Sequence, residues 1–271
     1  LKHKLKHIIS IILFIVFIFG TIAYIYVPNR ANSEKLYGIP TVFVHGYKGT
    51  TNSFHTMLDR FEENGWGKKG LVYYVSSRGR VVDHPVKFDP AKQTFVQVIL
   101  QNNRASFADS AEWLASVLQH FKAKYGVETV NLVGHSMGGI ISMKYMMDYR
   151  SDDYPNVDRF VAIGSPFDGI YSTEYFRIHH DPAATDLKPD SPAFQMLHQG
   201  KIPGNIEVLN IGSAGDTVAF TESVKAIRKM VSENQLREVI IQDNELGHSG
   251  MHESIQVDKM IHSFLWHEEL Q

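Results

Sequence analysis

One pentapeptide constrains this chain more than any other feature. Gly134-His135-Ser136-Met137-Gly138 fits the pattern G-x-S-x-G, directly after an expected strand at 129–133 and directly before a helical pattern that opens at Met137. A strand that passes into a helix through a single serine has to bend sharply. Glycines at 134 and 138 are needed there because side chains would strike the adjoining strand and helix. The bend holds Ser136 in a strained conformation and lifts its hydroxyl clear of the sheet, and Gly139 relieves crowding further. The motif thus asks for a strand–turn–helix unit and marks Ser136 as a candidate nucleophile. A phosphate-binding loop does not fit, since no G-x-x-x-x-G-K-[ST] is present.

A serine hydroxyl is a weak nucleophile; it needs a base, and the base needs an orienting acid. With this kind of turn the order along the chain is serine, then Asp or Glu, then His. Asp216 in Gly212-Ser213-Ala214-Gly215-Asp216 follows an expected strand at 206–211 and has small neighbours that allow a tight approach. Asp168 and Asp243 are its rivals. The base should come after the last strand, where Gly247-His248-Ser249-Gly250-Met251-His252-Glu253 offers two histidines. His248, flanked by glycine and serine, is preferred over His252, which is expected in the first turn of the terminal helix. Two backbone donors must face the developing oxyanion. The amide of Met137 is one, and Tyr47 in His45-Gly46-Tyr47-Lys48-Gly49, just after the first strand, supplies the other. The remaining histidines, His45 and His135 among them, are expected to be structural or solvent-facing.

From residue 39 onward, short apolar runs alternate with helical patterns. Strands are expected at 41–44, 71–75, 94–100, 129–133, 159–163, 206–211 and 238–241, and helices at 52–64, 106–124 and 137–149. A last helix carries Val257, Met260, Ile261, Phe264 and Leu265 at helical spacing. Strands separated by helices imply a mainly parallel sheet with helices on both faces. The stretch 166–204, with five prolines and no clear strand, is expected to be a short lid or cap. Phe167, Tyr171, Tyr175, Phe176, Phe194, Met196 and Leu197 within it are candidates for an acyl pocket, or equally for the core of a small helical cap.

The beginning of the chain obeys a different rule. Residues 8–27 carry no charge, and a helix of that length spans ~30 Å of hydrocarbon. Lys2, Lys4 and Lys6 precede it, which favours the leading side staying in the cytoplasm and the rest being exported. Residues 1–28 are therefore expected to be a membrane anchor or signal segment, 29–38 a polar tether and 39–271 the globular domain. The apolar run is long for a signal peptide and lacks a small-x-small site at its end, so an uncleaved single-pass anchor is preferred over secretion. The formal charge of −2 hides an asymmetry: removing the first 35 residues leaves 22 basic and 28 acidic residues, net −6. An acidic domain argues against nucleic acid as a partner. With no cysteine in the chain, thiol catalysis, disulfides and thiolate metal sites are excluded.

Four segments together carry a family likeness: Phe43-Val44-His45-Gly46-Tyr47, Gly134-His135-Ser136-Met137-Gly138, Gly164-Ser165-Pro166-Phe167-Asp168-Gly169 and Gly247-His248-Ser249-Gly250-Met251-His252-Glu253. Over residues 39–267 the chain resembles the DUF915 family, α/β hydrolases of Gram-positive bacteria that often act at the cell surface. The resemblance implies the α/β-hydrolase fold and carboxylic-ester hydrolysis, with Ser136, Asp216 and His248 at the triad positions. It implies no metal or organic cofactor, and a small-molecule or lipid-like ester as substrate. Lys48 stands where a small residue is common. The second histidine of the closing motif leaves His252 in play as base. An acyltransferase or thioesterase using the same residues, or a binding module without turnover, are the alternatives.

Overall fold

The computed structural model describes residues 37–266 apart from 87, 88 and 90. The expected anchor and nearly all of the expected tether lie outside those residues. Among the described residues, no helix is long and apolar enough to cross a membrane.

Eight strands form one sheet: β1 (Tyr37–Val44), β2 (Lys68–Val75), β3 (Val81–Pro85), β4 (Gln93–Leu100), β5 (Thr129–His135), β6 (Asn156–Ile163), β7 (Glu207–Ser213) and β8 (Leu236–Ile241). Their order is β3-β2-β4-β1-β5-β6-β7-β8. β3 pairs antiparallel with β2, and every other neighbouring pair is parallel. The carboxyl ends of all strands but β3 therefore meet at one edge, where such sheets carry their ligands.

Alternation along the strands sends side chains to two separate cores. Val42 and Val44 face a layer built with helices α2 (Phe107–Tyr125) and α3 (Met137–Asp148), alongside Leu114, Leu118 and Ile140. Phe43, between them, faces the other layer, with α1 (His55–Glu63) and, at the end of the chain, Ile255–Trp266. There Phe43 meets Phe54, Phe61 and Phe95 edge-on at 5.3, 6.3 and 5.8 Å between ring centroids. Burying a side chain of this size contributes roughly 1.5–3 kcal/mol. Clamping β1 from both sides matters because the loop that follows it enters the site.

Two departures from the sequence reading concern β1 and β3. β1 opens at Tyr37, inside the stretch expected to be tether, because Tyr37 already pairs with Gln93 before the register shifts ahead of Thr41. Gly38 takes φ +64° at that irregularity. β3 has no counterpart in the expected strands, since it is an edge strand whose side chains are exposed or half-buried and show no core-facing period.

The excursion 166–204 contains no strand. It folds into three short helices, α4 (Thr173–Ile178), α5 (Pro182–Asp186) and α6 (Pro192–Gln199). Asp181-Pro182 and Ser191-Pro192 start the last two: the side chain of the first residue accepts the amide three residues on, and proline takes the first helical position. Phe167, Phe194 and Leu197 are buried in the core, whereas Met196 is exposed and α4 has no buried residue. The excursion thus divides into a packed cap at 181–199 and a superficial helix at 173–178. Helix α7 (Thr221–Lys225) follows β7, and Ile255–Trp266 is α8.

Candidate active site

Ser136 joins β5 to α3 with φ 56° and ψ −128°, a conformation side-chain-bearing residues seldom adopt. The neighbouring glycines show why the bend is possible. A Cβ on Gly138 would lie 2.0 Å from the carbonyl oxygen of Val44, and one on Gly134 would lie 2.4 Å from the amide nitrogen of Gly139. The first is a collision with β1, the second with the start of α3. Neither can be relieved by a rotamer change, because the obstacles are backbone.

His248 stands between serine and acid. Its Nε2 accepts from the Ser136 hydroxyl, 2.9 Å to Oγ, and its Nδ1–H donates to Asp216 Oδ2 at 2.7 Å. The other carboxylate oxygen of Asp216 accepts from the amides of Val218 and Ala219 at 2.8 and 2.9 Å. The Asp216 side chain is wholly buried, and that of His248 is 15% exposed. An acid held by three donors cannot rotate away, so it fixes the tautomer that leaves Nε2 free to accept. Ser213, at the end of β7, donates to the carbonyl of Leu246 at 2.7 Å and so ties the acid loop to the segment leading into His248.

Gly164, at the end of β6, has φ +53°, and a Cβ there would sit 2.4 Å from Met251 and 3.3 Å from Asp216 Oδ2. Its role escaped the sequence reading, although it opens the Gly164-Ser165-Pro166 segment.

The rival residues are engaged elsewhere. Asp168 pairs with Lys229 at 2.6 Å and accepts from the Tyr171 hydroxyl at 3.1 Å. Asp243 accepts the amide of Glu245 at 2.8 Å in a local turn. His252 bonds to Glu253 through Nδ1 at 3.0 Å, and burial leads the causes that lower its pKa. It belongs to a brace rather than to the Ser136 contact. Arg60 on α1 grips Asp258 through two nitrogens at 2.5 and 3.0 Å and donates to the carbonyl of His252 at 3.0 Å. That brace holds the turn that carries His248.

Two of the histidines expected to be structural or solvent-facing are scaffolding of the site. His45 is 2% exposed; it accepts the amide of Leu100 at Nε2, 3.0 Å, and donates from Nδ1 to the carbonyl of Gly46, 2.9 Å. Accepting at Nε2 needs the neutral ring, with its proton on Nδ1, and burial lowers its pKa. His135 donates from Nε2 to the carbonyl of His248 at 3.1 Å, and its ring lies 4.8 and 4.9 Å from those of His248 and His252. Burial first, then those two neighbours, hold its pKa well below the ordinary histidine value. The x of G-x-S-x-G thus props the backbone of the residue that meets the serine.

The loop after β1 runs against the bend. A Cβ on Gly46 would fall 2.8 Å from Ser136 Cβ and 3.2 Å from the Met137 amide nitrogen. The amides of Lys48 and Gly49 are spent on the carbonyls of Asn103 and Gly46, at 2.9 and 3.0 Å. Gly46, the residue before Tyr47, thereby lies against both Ser136 and the amide of Met137.

Comparison with known proteins places this arrangement in context. The model of a family described as alpha/beta hydrolase of unknown function (DUF915) matches residues 28–268. No curated protein matches. Among solved structures, the product of gene lin2722 from Listeria innocua is similar, with 24% identity and a TM-score of 0.71 over 85% of this chain and 95% of that one. A proposed cell surface hydrolase from Lactobacillus plantarum WCFS1 is 18% identical with a TM-score of 0.64, over 84% of this chain and 91% of that one. An esterase from Exiguobacterium antarcticum is 15% identical with a TM-score of 0.51, over 84% and 91%. At these identities the likeness is one of fold.

Proposed function

Because this chain belongs to the DUF915 family of α/β hydrolases, we propose that it hydrolyses carboxylic esters through an acyl-serine intermediate at Ser136. The observation that carries the reading is the unbroken relay from Ser136 through His248 to Asp216, at 2.9 and 2.7 Å. His248 takes the serine proton as Oγ attacks the ester carbonyl carbon. The carbonyl oxygen becomes an oxyanion facing the amides of Tyr47 and Met137. Collapse expels the alcohol, which receives the proton from the imidazolium, and Asp216 stabilises that cation in the meantime. Water then repeats the sequence on the acyl-serine, with His248 again as base, releasing the acid and the free enzyme. Met137 suits its role because the first amides of a helix lack intrahelical partners.

Hydrolysis of p-nitrophenyl esters of graded acyl length tests this reading against Ser136→Ala. Turnover by the wild type and none by the variant is the expected result; equal rates would reject it. Running the same series with competing alcohols and with thioesters separates hydrolysis from acyl transfer and thioester cleavage. The proposal extends to location. The uncharged run at 8–27 with lysines before it fits a single-pass anchor holding the domain outside the cytoplasm. Digestion of the domain by protease added to intact cells supports that arrangement, and protection until lysis rejects it.

A further inference from the structure

We propose that Asp181 is a positioning residue for the reaction: through the Tyr47 hydroxyl it aims the Tyr47 amide at the oxyanion. The inference rests on the ester-hydrolase reading above and adds a component from the cap, 134 positions from Tyr47 along the chain.

The Tyr47 hydroxyl donates to Asp181 Oδ2 at 2.6 Å. The opposite oxygen of that carboxylate caps α5 by accepting the amide of Ala184 at 3.0 Å. Burial alone would raise the Asp181 carboxyl. The Tyr47 hydrogen bond, the Ala184 amide and the charge of Arg104 together hold it below the ordinary carboxylate value. The acceptor is therefore ionised, and the bond from Tyr47 is charge-assisted. α5 is itself fixed. The amide of Ala183 bonds to the carbonyl of Arg104 at 3.1 Å, Asp186 accepts the amide of Phe107 at 2.8 Å, and Ala183 and Ala184 are fully buried. A second contact runs parallel to the first, with Lys48 Nζ 3.1 Å from His179 Nδ1 and the Tyr47 ring edge-on to His179 at 5.5 Å.

On the loop side, backbone bonds pin Lys48 and Gly49, and Gly46 is wedged against Ser136. The orientation of the peptide between Gly46 and Tyr47 is then governed by where the Tyr47 side chain is anchored. Stabilisation of an oxyanion depends steeply on donor placement, and a misplacement of about 1 Å can cost on the order of 10² in rate. A mobile lid would be a poor anchor for this purpose. The packed part of the cap is a good one.

The competing view is that Asp181 merely caps α5, and two substitutions separate the views. Asp181→Ser keeps a good capping residue but cannot reach Tyr47. Tyr47→Phe removes one oxygen and leaves ring, amide and cap intact. Each should lower kcat on a p-nitrophenyl ester about tenfold, short of the ~10²–10³ lost when a donor is removed outright. KM should stay within about twofold and melting temperature close to wild type. The double variant should be no worse than either single one, since both break the same link. Unchanged kcat in Tyr47→Phe, or losses that multiply in the double variant, would overturn the proposal while leaving an active wild type. A wild type that turns over no ester would instead remove the reading on which it rests.

Discussion

Glycine at position 136 should give a more stable, inactive protein than alanine at the same place. Ser136 is held at φ 56°, ψ −128°, by β5 before it and α3 after it. Both substitutions delete the hydroxyl and its bond to His248, so that loss cancels in the comparison. Alanine keeps the Cβ, and with it the strain of a sparsely populated backbone region, of order 1–3 kcal/mol. Glycine removes the strain but gains freedom in the unfolded chain, which offsets roughly 0.5–1 kcal/mol. The net difference is about 1 kcal/mol in favour of glycine. In a domain of this size that corresponds to a melting temperature ~2–4 °C higher. Thermal melts of Ser136→Gly and Ser136→Ala followed by circular dichroism at one pH and scan rate make the measurement. A glycine variant that melts at or below the alanine variant refutes the claim that the turn stores strain.

Other expectations follow from the same geometry. His248→Ala should lose ester turnover by on the order of 10³-fold or more; His252→Ala should keep most of it, since its ring nitrogen is engaged with Glu253. Comparable losses in the two variants, measured as kcat, would contradict the assignment of the base. Stability should fall with acid over a particular window. His45 and His135 are buried with pKa values lowered by burial. Each therefore contributes stability that is complete above the unfolded value near 6.5 and is lost as pH falls through it towards the lowered folded value. Where the unfolded rings are protonated and the folded rings still neutral, each contributes a slope that approaches about 1.4 kcal/mol per pH unit, and His135→Gln should remove the share of His135. Urea unfolding at pH 6.5, 6.0 and 5.5 reads this directly; identical slopes in wild type and variant would refute it.

Much of this was legible because the central strands declare themselves. Thr41 to Val44 and Thr129 to Val133 are rich in β-branched residues, and a glycine comes within two residues of each at the edge where the loops enter the site. The order serine, acid, histidine needed only a turn motif and two later strands. What the sequence hid is of three kinds. β3 buries almost nothing and leaves no hydrophobic period. His45 and His135 are polar residues in apolar surroundings, and their tautomers and partners exist only in three dimensions. Asp181 and Tyr47 lie 134 positions apart, and no local pattern reports a contact of that span. The two Asx/Ser-Pro starts in the cap were readable signals of helix and account for why 181–199 is packed rather than loose.

The most direct test is the fate of a fluorophosphonate probe, followed by intact mass and peptide mapping. The expected outcome is a single phosphonyl adduct on Ser136, absent from Ser136→Ala and formed far more slowly in His248→Ala. An adduct on another residue, or no adduct on an intact chain, would contradict the claim that Ser136 is a nucleophile activated by His248.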